Sequence, residues 1–143
     1  MEILRATKTA HQAAAYYVRI QAMARKHRIP LEVEFDEHDT PDTKYIVVVD
    51  DFLPVATCRL YPVDNDSIML GRIVVLPEYR HQGLGTLVVR EAESWAKELG
   101  FKKAVLESRE NKVRFYEQIG YTADMSRQIV GETFTCFRME KLL

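Results

Sequence analysis

The chain has 143 residues, of which 47% are hydrophobic and 29% are charged, and its formal net charge is −1. This length is typical of one globular domain, so we expect a single domain over residues 1–143. Without a net positive charge there is no general field to attract nucleic acid, and we expect neither nucleic acid nor a membrane as a partner. The longest apolar runs are far shorter than the roughly 20 residues that span a bilayer.

The cysteines and histidines indicate neither a disulfide nor a metal site. Cys58 and Cys136 are far apart and belong to no pairing motif, so we expect two reduced thiols buried in strands. Residues 1–5 lack the basic start and apolar core of a secretory signal. No metal-ligand spacing relates the four histidines, which are His11, His27, His38 and His81. We therefore expect a cytoplasmic protein without a structural metal.

The first third of the chain predicts a strand, a helix and an acidic loop. Residues 2–7 alternate enough for a short strand, and Thr9 is placed to cap the helix that follows. Apolar residues three or four positions apart give that helix one buried face, and Pro30 ends it. Residues 31–41 are expected to be mostly loop, with short helical pieces. Five acidic residues lie there: Glu32, Glu34, Asp36, Glu37 and Asp39.

The middle of the chain predicts strands and a long helix. Residues 45–49 and 55–61 read as a hairpin around an Asp-Asp turn, and residues 68–76 as a third strand. Apolar residues then recur at helical spacing over residues 83–99. Residues 103–106 predict a short buried strand.

The C-terminal part predicts a second helix and two closing strands. This helix begins at Asn111 and is ended by Gly120. The closing strands are expected from residue 121 onward and over residues 133–139. The whole order of elements is that of an α/β domain.

Residues 73–86 pass from a strand into a helix through a turn that contains Gly83 and Gly85. The start of a helix presents unpaired backbone N–H groups and positive potential, which suits a pyrophosphate. Arg80 and His81 can add positive charge. From the glycines alone, an ordinary strand-to-helix loop is an equally good interpretation.

Two other phosphate-binding motifs do not fit this turn. A P-loop needs a lysine after its last glycine, and Thr86-Leu87 supplies none. A dinucleotide-binding fingerprint needs a third glycine, and Val88 stands at that position.

Two motifs together resemble the GCN5-related N-acetyltransferase (GNAT) family. The first is Arg80-x-x-Gly83-x-Gly85 after Val75-x-Pro77, which resembles the family's acyl-CoA pyrophosphate loop. The second is the segment 111–121, which is similar to the family's asparagine, Phe-Tyr and Gly-aromatic series. Weaker similarity at residues 56–60 and 34–36 points to a small bacterial subgroup, the ElaA-like proteins.

The resemblance implies an α/β fold whose mixed, mostly antiparallel sheet is splayed at an acyl-CoA cleft and flanked by helices. It implies an N-acetyltransferase in which an amine attacks acetyl-CoA directly in a ternary complex. The acceptor would be a small-molecule or peptide primary amine, and a homodimer is left open. The alternative is a non-catalytic acyl-CoA sensor or interaction module with the same fold.

The resemblance also assigns a cofactor role to particular residues. Exposed backbone groups around Val75, with Ile73 and Val74, would bind the pantetheine amides. Asn111 would meet the pantetheine arm, with helix capping as the alternative, and Phe115 would lie at the cofactor or serve in packing. Backbone groups of the turn would hold the pyrophosphate: Arg80, His81, Gln82, Gly83, Leu84, Gly85 and Thr86.

The resemblance assigns one of the two proton-transfer groups and leaves several candidates for the other. Tyr116 matches the tyrosine that the family places beside the cofactor sulfur, and a core tyrosine is the alternative. In many relatives a glutamate on the strand before the loop acts as the base, and this chain has Gly71 followed by Arg72 there. Glu107 is one substitute base; a water chain and two residues of the acidic loop, Glu34 and Asp36, are others. Each of these acids could equally be a solvated surface charge.

Overall fold

Seven strands form one mixed sheet in the computed structural model, which describes residues 1–131 and 133–143. Their order across the sheet is β1-β2-β3-β4-β5-β7-β6. Only β4 and β5 run parallel, and every other neighbouring pair is antiparallel. The strands are β1 (Glu2–Arg5), β2 (Lys44–Asp50), β3 (Leu53–Pro62), β4 (Ser67–Val75), β5 (Lys103–Arg109), β6 (Thr122–Val130) and β7 (Thr135–Leu142).

Helices cover both faces of this sheet. They are α1 (Thr9–Arg19), α2 (Arg25–His27), α3 (Leu31–Glu34), α4 (Leu84–Glu98) and α5 (Val113–Gln118), with a π-helical turn, Ile20–Ala24, joining α1 to α2. The predicted cap at Thr9 is wrong, because Thr9 is the first helical residue and Lys8 precedes it without a side-chain cap. Within the described residues, no helix has the length and apolarity needed to cross a bilayer.

The alternation of β2 shows which helix lies on which face. Tyr45 and Val47 pack with Ala15 of α1, whereas Ile46 and Val48 pack in the cluster that contains Val88 of α4. Because successive residues of a strand point to opposite faces, α1 and α4 lie on opposite sides of the sheet.

The parallel pair β4 and β5 separates after three rungs. Ser67, Ile68 and Met69 pair with Lys103, Ala104 and Val105, and the pairing ends there. Residues 70–75 stay on β3 while residues 106–109 stay on β7, so a wedge opens between the two strands. The expected α/β fold with a splayed, mostly antiparallel sheet is confirmed.

Both cysteines are free thiols in strands, as predicted. Cys58 is fully buried in β3, and burial raises its pKa to about 12. Cys136 in β7 is only half-buried, and burial raises its pKa as well.

Candidate active site

The N-terminus of α4 is an uncapped helix end at the open side of the wedge. Gly83 precedes the helix in the left-handed region, with φ +81°, and no side chain caps the helix. No acidic residue lies in the first turn. The N–H groups of Leu84, Gly85 and Thr86 have no intrahelical acceptor, because the first helical bond runs from Leu87 to the Gly83 carbonyl at 3.0 Å. This helix end can accept an anion.

The turn before α4 adds positive charge to that helix end. Arg80, His81 and Gln82 are exposed, and the Arg80 Nε donates to the Val75 carbonyl at 3.4 Å. The pKa of His27 is lowered, first by burial and then by the charges of Arg109, Lys26 and Arg80. Cations from three elements therefore act on His27, and one of them, Arg80, belongs to this turn.

Gly85 allows α4 to approach α5 closely. A Cβ at Gly85 would lie 3.4 Å from the Cζ of Phe115. Phe115 in turn meets Tyr116 edge-to-face, with ring centroids 4.9 Å apart. Phe115 thus packs against the start of α4, so its alternative role in packing is present in the structure.

Tyr116 lies in the core with an unused hydroxyl. Its side chain is 8% exposed and packs in the cluster that contains Leu106 and Phe137. Burial raises the pKa of Tyr116 above its ordinary value, so the phenol stays protonated at neutral pH. Among the described residues it has no hydrogen-bond partner, whereas the hydroxyl of Tyr121 is donated to Glu93 at 2.7 Å. The core tyrosine and the proton donor are compatible interpretations.

The predicted pantetheine-binding residues of β4 lie along one side of the wedge, and Asn111 follows β5 on the other side. Ile73 and Val75 are half-buried at the end of β4, and Val74 is buried and pairs with Thr57. Asn111 is exposed in the 3-10 turn Glu110–Lys112 and lines a depression of about 390 Å³. It is not the helix cap, because Lys112 precedes α5 and makes no side-chain cap bond.

Two carboxylates of the acidic loop are ion-paired with arginines, so the expectation of solvated charges or free bases is wrong for Glu34 and Asp36. Glu34 is 3% exposed, and its carboxylate accepts from the Arg19 Nε at 3.0 Å. Burial alone would raise the pKa of Asp36, but the hydrogen bond and charge of Arg59 lower it. Arg72 donates to the Glu34 carbonyl at 2.9 Å and to Asp36 at 3.3 Å. Both carboxylates are committed to arginines.

Asp39 completes this cluster, which we call the arginine–carboxylate network: Arg19, Arg59, Arg72, Glu34, Asp36 and Asp39. Burial would raise the pKa of Asp39, but the hydrogen bonds from Arg19 and Tyr45 lower it. The Arg59 Nε is the one buried side-chain nitrogen or oxygen without a partner among the residues described. Sequence reasoning missed the arginines, although a single arginine inside the apolar strand pattern 55–61 signals a buried acidic partner.

Glu107 and Gly71 lie at the opposite walls of the wedge. Glu107 is exposed on β5, beside Arg138 of β7 in the strand register. A Cβ at Gly71 would meet no atom within 4 Å, so the missing side chain leaves open space next to Arg59, its partner in the register. Among the described residues there is no group of three metal-ligating side chains.

Comparison with known proteins identifies the family to which this chain belongs. The acetyltransferase (GNAT) family profile matches residues 6–121. The uncharacterised N-acetyltransferase YjcF of Bacillus subtilis (strain 168) is 32% identical over 127 residues, which are 89% of each chain. A Lactobacillus plantarum crystal structure described as an N-acetyltransferase has a TM-score of 0.92 at 30% identity, covering 99% of this chain and 97% of that one.

More distant structures share the fold. ElaA of Escherichia coli has a TM-score of 0.82 at 17% identity, covering 99% of both chains. A GNAT family acetyltransferase from Elizabethkingia anophelis with acetyl-CoA bound has a TM-score of 0.71 at 18% identity, covering 99% of this chain and 97% of that one. The chain therefore belongs to the GNAT family of acyl-CoA-dependent N-acetyltransferases.

Proposed function

We propose that the protein transfers the acetyl group of acetyl-CoA to a primary amine by direct attack in a ternary complex. The observation that carries the proposal is the uncapped, basic N-terminus of α4 at the open end of the β4/β5 wedge. The wedge leaves backbone groups of β4 free for an extended ligand, and the helix end suits its pyrophosphate. The acetyl-CoA-bound relative from Elizabethkingia anophelis supports the choice of cofactor.

The cofactor would lie along β4 and end at α4. Backbone groups of Ile73, Val74 and Val75 would pair with the pantetheine amides, and Asn111 would face them from the 3-10 turn that follows β5. The N–H groups of residues 83–86 would donate to the pyrophosphate. Arg80 and His81, with Gln82, would close the turn around it.

The reaction requires one proton to leave the amine and one to reach the sulfur. The amine nitrogen attacks the thioester carbonyl, the tetrahedral intermediate collapses, and the C–S bond breaks. We propose that Tyr116 donates a hydrogen bond or its proton to the departing thiolate. Because burial raises the pKa of this phenol, it remains a donor throughout the neutral and mildly alkaline range.

The acceptor would approach from the face of the sheet that carries Glu107. An exposed carboxylate there attracts a cationic amine. We propose Glu107 for this electrostatic role, and a small-molecule or peptide amine as the acceptor. We also propose that residues 1–143 act as one domain in the cytoplasm, where free thiols persist, with a homodimer left open.

The test is a panel of primary amines incubated with acetyl-CoA, read by free thiol and by mass spectrometry of the acetylated amine. We expect thiol release that depends on both enzyme and amine. CoA should also raise the melting temperature by more than ATP at equal concentration, because ligand binding to the native state stabilises it. Thermal stabilisation by CoA without acetylation of any amine would favour the non-catalytic sensor instead.

A further inference from the structure

The closed end of the wedge is defined by one row of residues across three strands. Tyr61 of β3 pairs with Met69 of β4, which pairs with Val105 of β5, and this is the last rung before the strands part. Gly71 and Glu107 are the next residues on the same face, because side chains alternate along a strand. Tyr61, Gly71 and Glu107 therefore surround one space at the point of separation.

His38 covers the Tyr61 side of that space. Its imidazole stacks on the Tyr61 ring, with centroids 3.8 Å apart and planes 7° apart. The backbone N–H of His38 donates to the Asp36 carboxylate at 2.9 Å, and the backbone carbonyl of His38 accepts from the Thr43 hydroxyl. The side chain is 38% exposed. The backbone thus holds a solvent-accessible imidazole in a fixed position at the closed end.

The proposed cofactor pose brings the reacting carbon to the same place. With the pyrophosphate at α4 and pantetheine along residues 73–75, the thioester points toward the last rung. Tyr116 shares a cluster with Leu106, whose side chain lies on the opposite face from Glu107. The leaving sulfur and the incoming amine would thus meet protein groups on different faces of the sheet.

The nearby carboxylates fit the role of base less well than this imidazole. Glu34 and Asp36 are paired with arginines. Glu107 is exposed and lies beside Arg138 in the strand register. Imidazole is the side chain that changes charge between pH 5 and 8, and a matched base contributes most to proton transfer.

We propose that His38 is the general base, taking one proton from the protonated acceptor amine, directly or through one water, before the neutral nitrogen attacks the thioester. The proposal rests on the acetyl transfer proposed above. Glu37 lies beside the imidazole, with its carboxylate 3.5 Å from Nε2. The charged groups that act on Tyr61, on which the imidazole stacks, are Arg59, Asp36, Glu107 and Arg72. The imidazolium of His38 then releases this proton to solvent. The other products are the amide and free CoA.

The test compares His38→Gln with wild type in the pH dependence of kcat/KM, with acetyl-CoA and 2-phenylethylamine as substrates. We expect a loss of about 10²-fold at pH 7, within the usual range for a positioned base. The loss should shrink toward the pKa of the amine, because the free amine needs no base. The KM for acetyl-CoA should not change. His11→Gln is the matched control, since His11 lies on α1 and its Nδ1 accepts from the Thr7 N–H at 3.3 Å.

Added imidazole separates catalysis from a structural role. His38→Ala should regain activity as imidazole is added, and wild type should not respond. A folded His38→Gln with the wild-type rate and pH profile overturns the proposal, and so does a pH-independent loss without rescue. If wild type acetylates neither phenylethylamine nor any amine of the panel, both this inference and the proposed function fail. If wild type is active and His38→Gln has the same rate and pH profile, only this inference fails.

Discussion

The two halves of the wedge are built in different ways. The cofactor half comes from one continuous stretch, residues 73–86, and presents mostly backbone groups. The acceptor half combines side chains from α1, the loop before β2, and strands β3 to β5, held by the arginine–carboxylate network. A site made of local backbone leaves a motif in the sequence, whereas a site made of distant side chains does not. The same difference predicts how each half responds to substitution.

The largest effect is expected at Tyr116, the proposed donor to the leaving sulfur. Tyr116→Phe removes one hydroxyl and keeps the ring packing, so turnover should fall about 10²–10⁴-fold while CoA affinity stays constant. Steady-state kinetics and calorimetric titration with CoA measure the two quantities. Tyr121→Phe is the matched control, because its hydroxyl is bonded to Glu93 and its loss should affect stability and not turnover. Normal turnover in Tyr116→Phe, with chemistry rate-limiting, would leave Tyr116 a core residue only.

The next effect concerns the stability of the acceptor half. Arg19 is fully buried between Glu34 and Asp39, so Arg19→Met leaves two buried carboxylates without their partner. Removing one partner of a buried pair costs about 3–5 kcal/mol of unfolding free energy. Arg5→Met is the control, because Arg5 pairs with Glu91 and Glu98 at the surface, where such pairs contribute about 0–1 kcal/mol. If Arg19→Met and Arg5→Met lose the same free energy of unfolding in urea, the arginine–carboxylate network does not stabilise the acceptor half.

A smaller effect is expected for ligand binding in the cofactor half. Gly83→Val places a side chain where the pyrophosphate approaches the N–H groups of α4, and loss of one charge-assisted hydrogen bond, about 1.5–3 kcal/mol, weakens CoA binding roughly 10- to 100-fold. Gly100→Val is a matched control, because Gly100 ends the same helix with φ +96° and also has no atom within 4 Å of a built Cβ. The two variants share the backbone strain. A similar CoA affinity in both would place the pyrophosphate elsewhere.

The smallest effect is expected in the pH dependence of the unfolding free energy, to which the arginine–carboxylate network contributes at acid pH. The pKa values of Asp36 and Asp39 are lowered in the folded protein by arginine partners. Their stabilisation is therefore complete above the unfolded aspartate pKa of about 3.9 and is lost as the pH falls through the folded values. Urea unfolding should give a stability that falls below about pH 4, with a shallower decline in Asp39→Asn. An identical slope in that variant would remove Asp39 from the account.

The sequence predicted the elements of the cofactor half closely because their signals are local. The helix expected over residues 83–99 is α4 (Leu84–Glu98), and the strand expected over residues 68–76 is β4 (Ser67–Val75). The turn between them could be predicted from the sequence because its backbone needs a positive φ, which glycine adopts readily, at Gly83. Its proposed ligands are backbone groups, so the motif itself is the site.

The acceptor half could not be read in this way. Nothing local shows that Arg19 and Arg59 bind the acids of residues 34–39, since these contacts join positions 15 to 23 residues apart. The stacking of His38 on Tyr61 depends on the same long-range packing. The strand expected over residues 103–106 is β5 (Lys103–Arg109), which places Glu107 on a strand facing the wedge. Only the lone arginine in a strand pattern carried a usable signal.

The most direct test of this account is a titration of the ¹⁵N-labelled protein with CoA, followed by the backbone amide resonances. We expect the largest shifts at Leu84, Gly85 and Thr86, because their unpaired N–H groups gain charge-assisted hydrogen bonds. Amides of the acidic loop, such as those of Asp36 and His38, should move little. Saturable CoA binding that leaves residues 83–86 unchanged would contradict the assignment of the cofactor half.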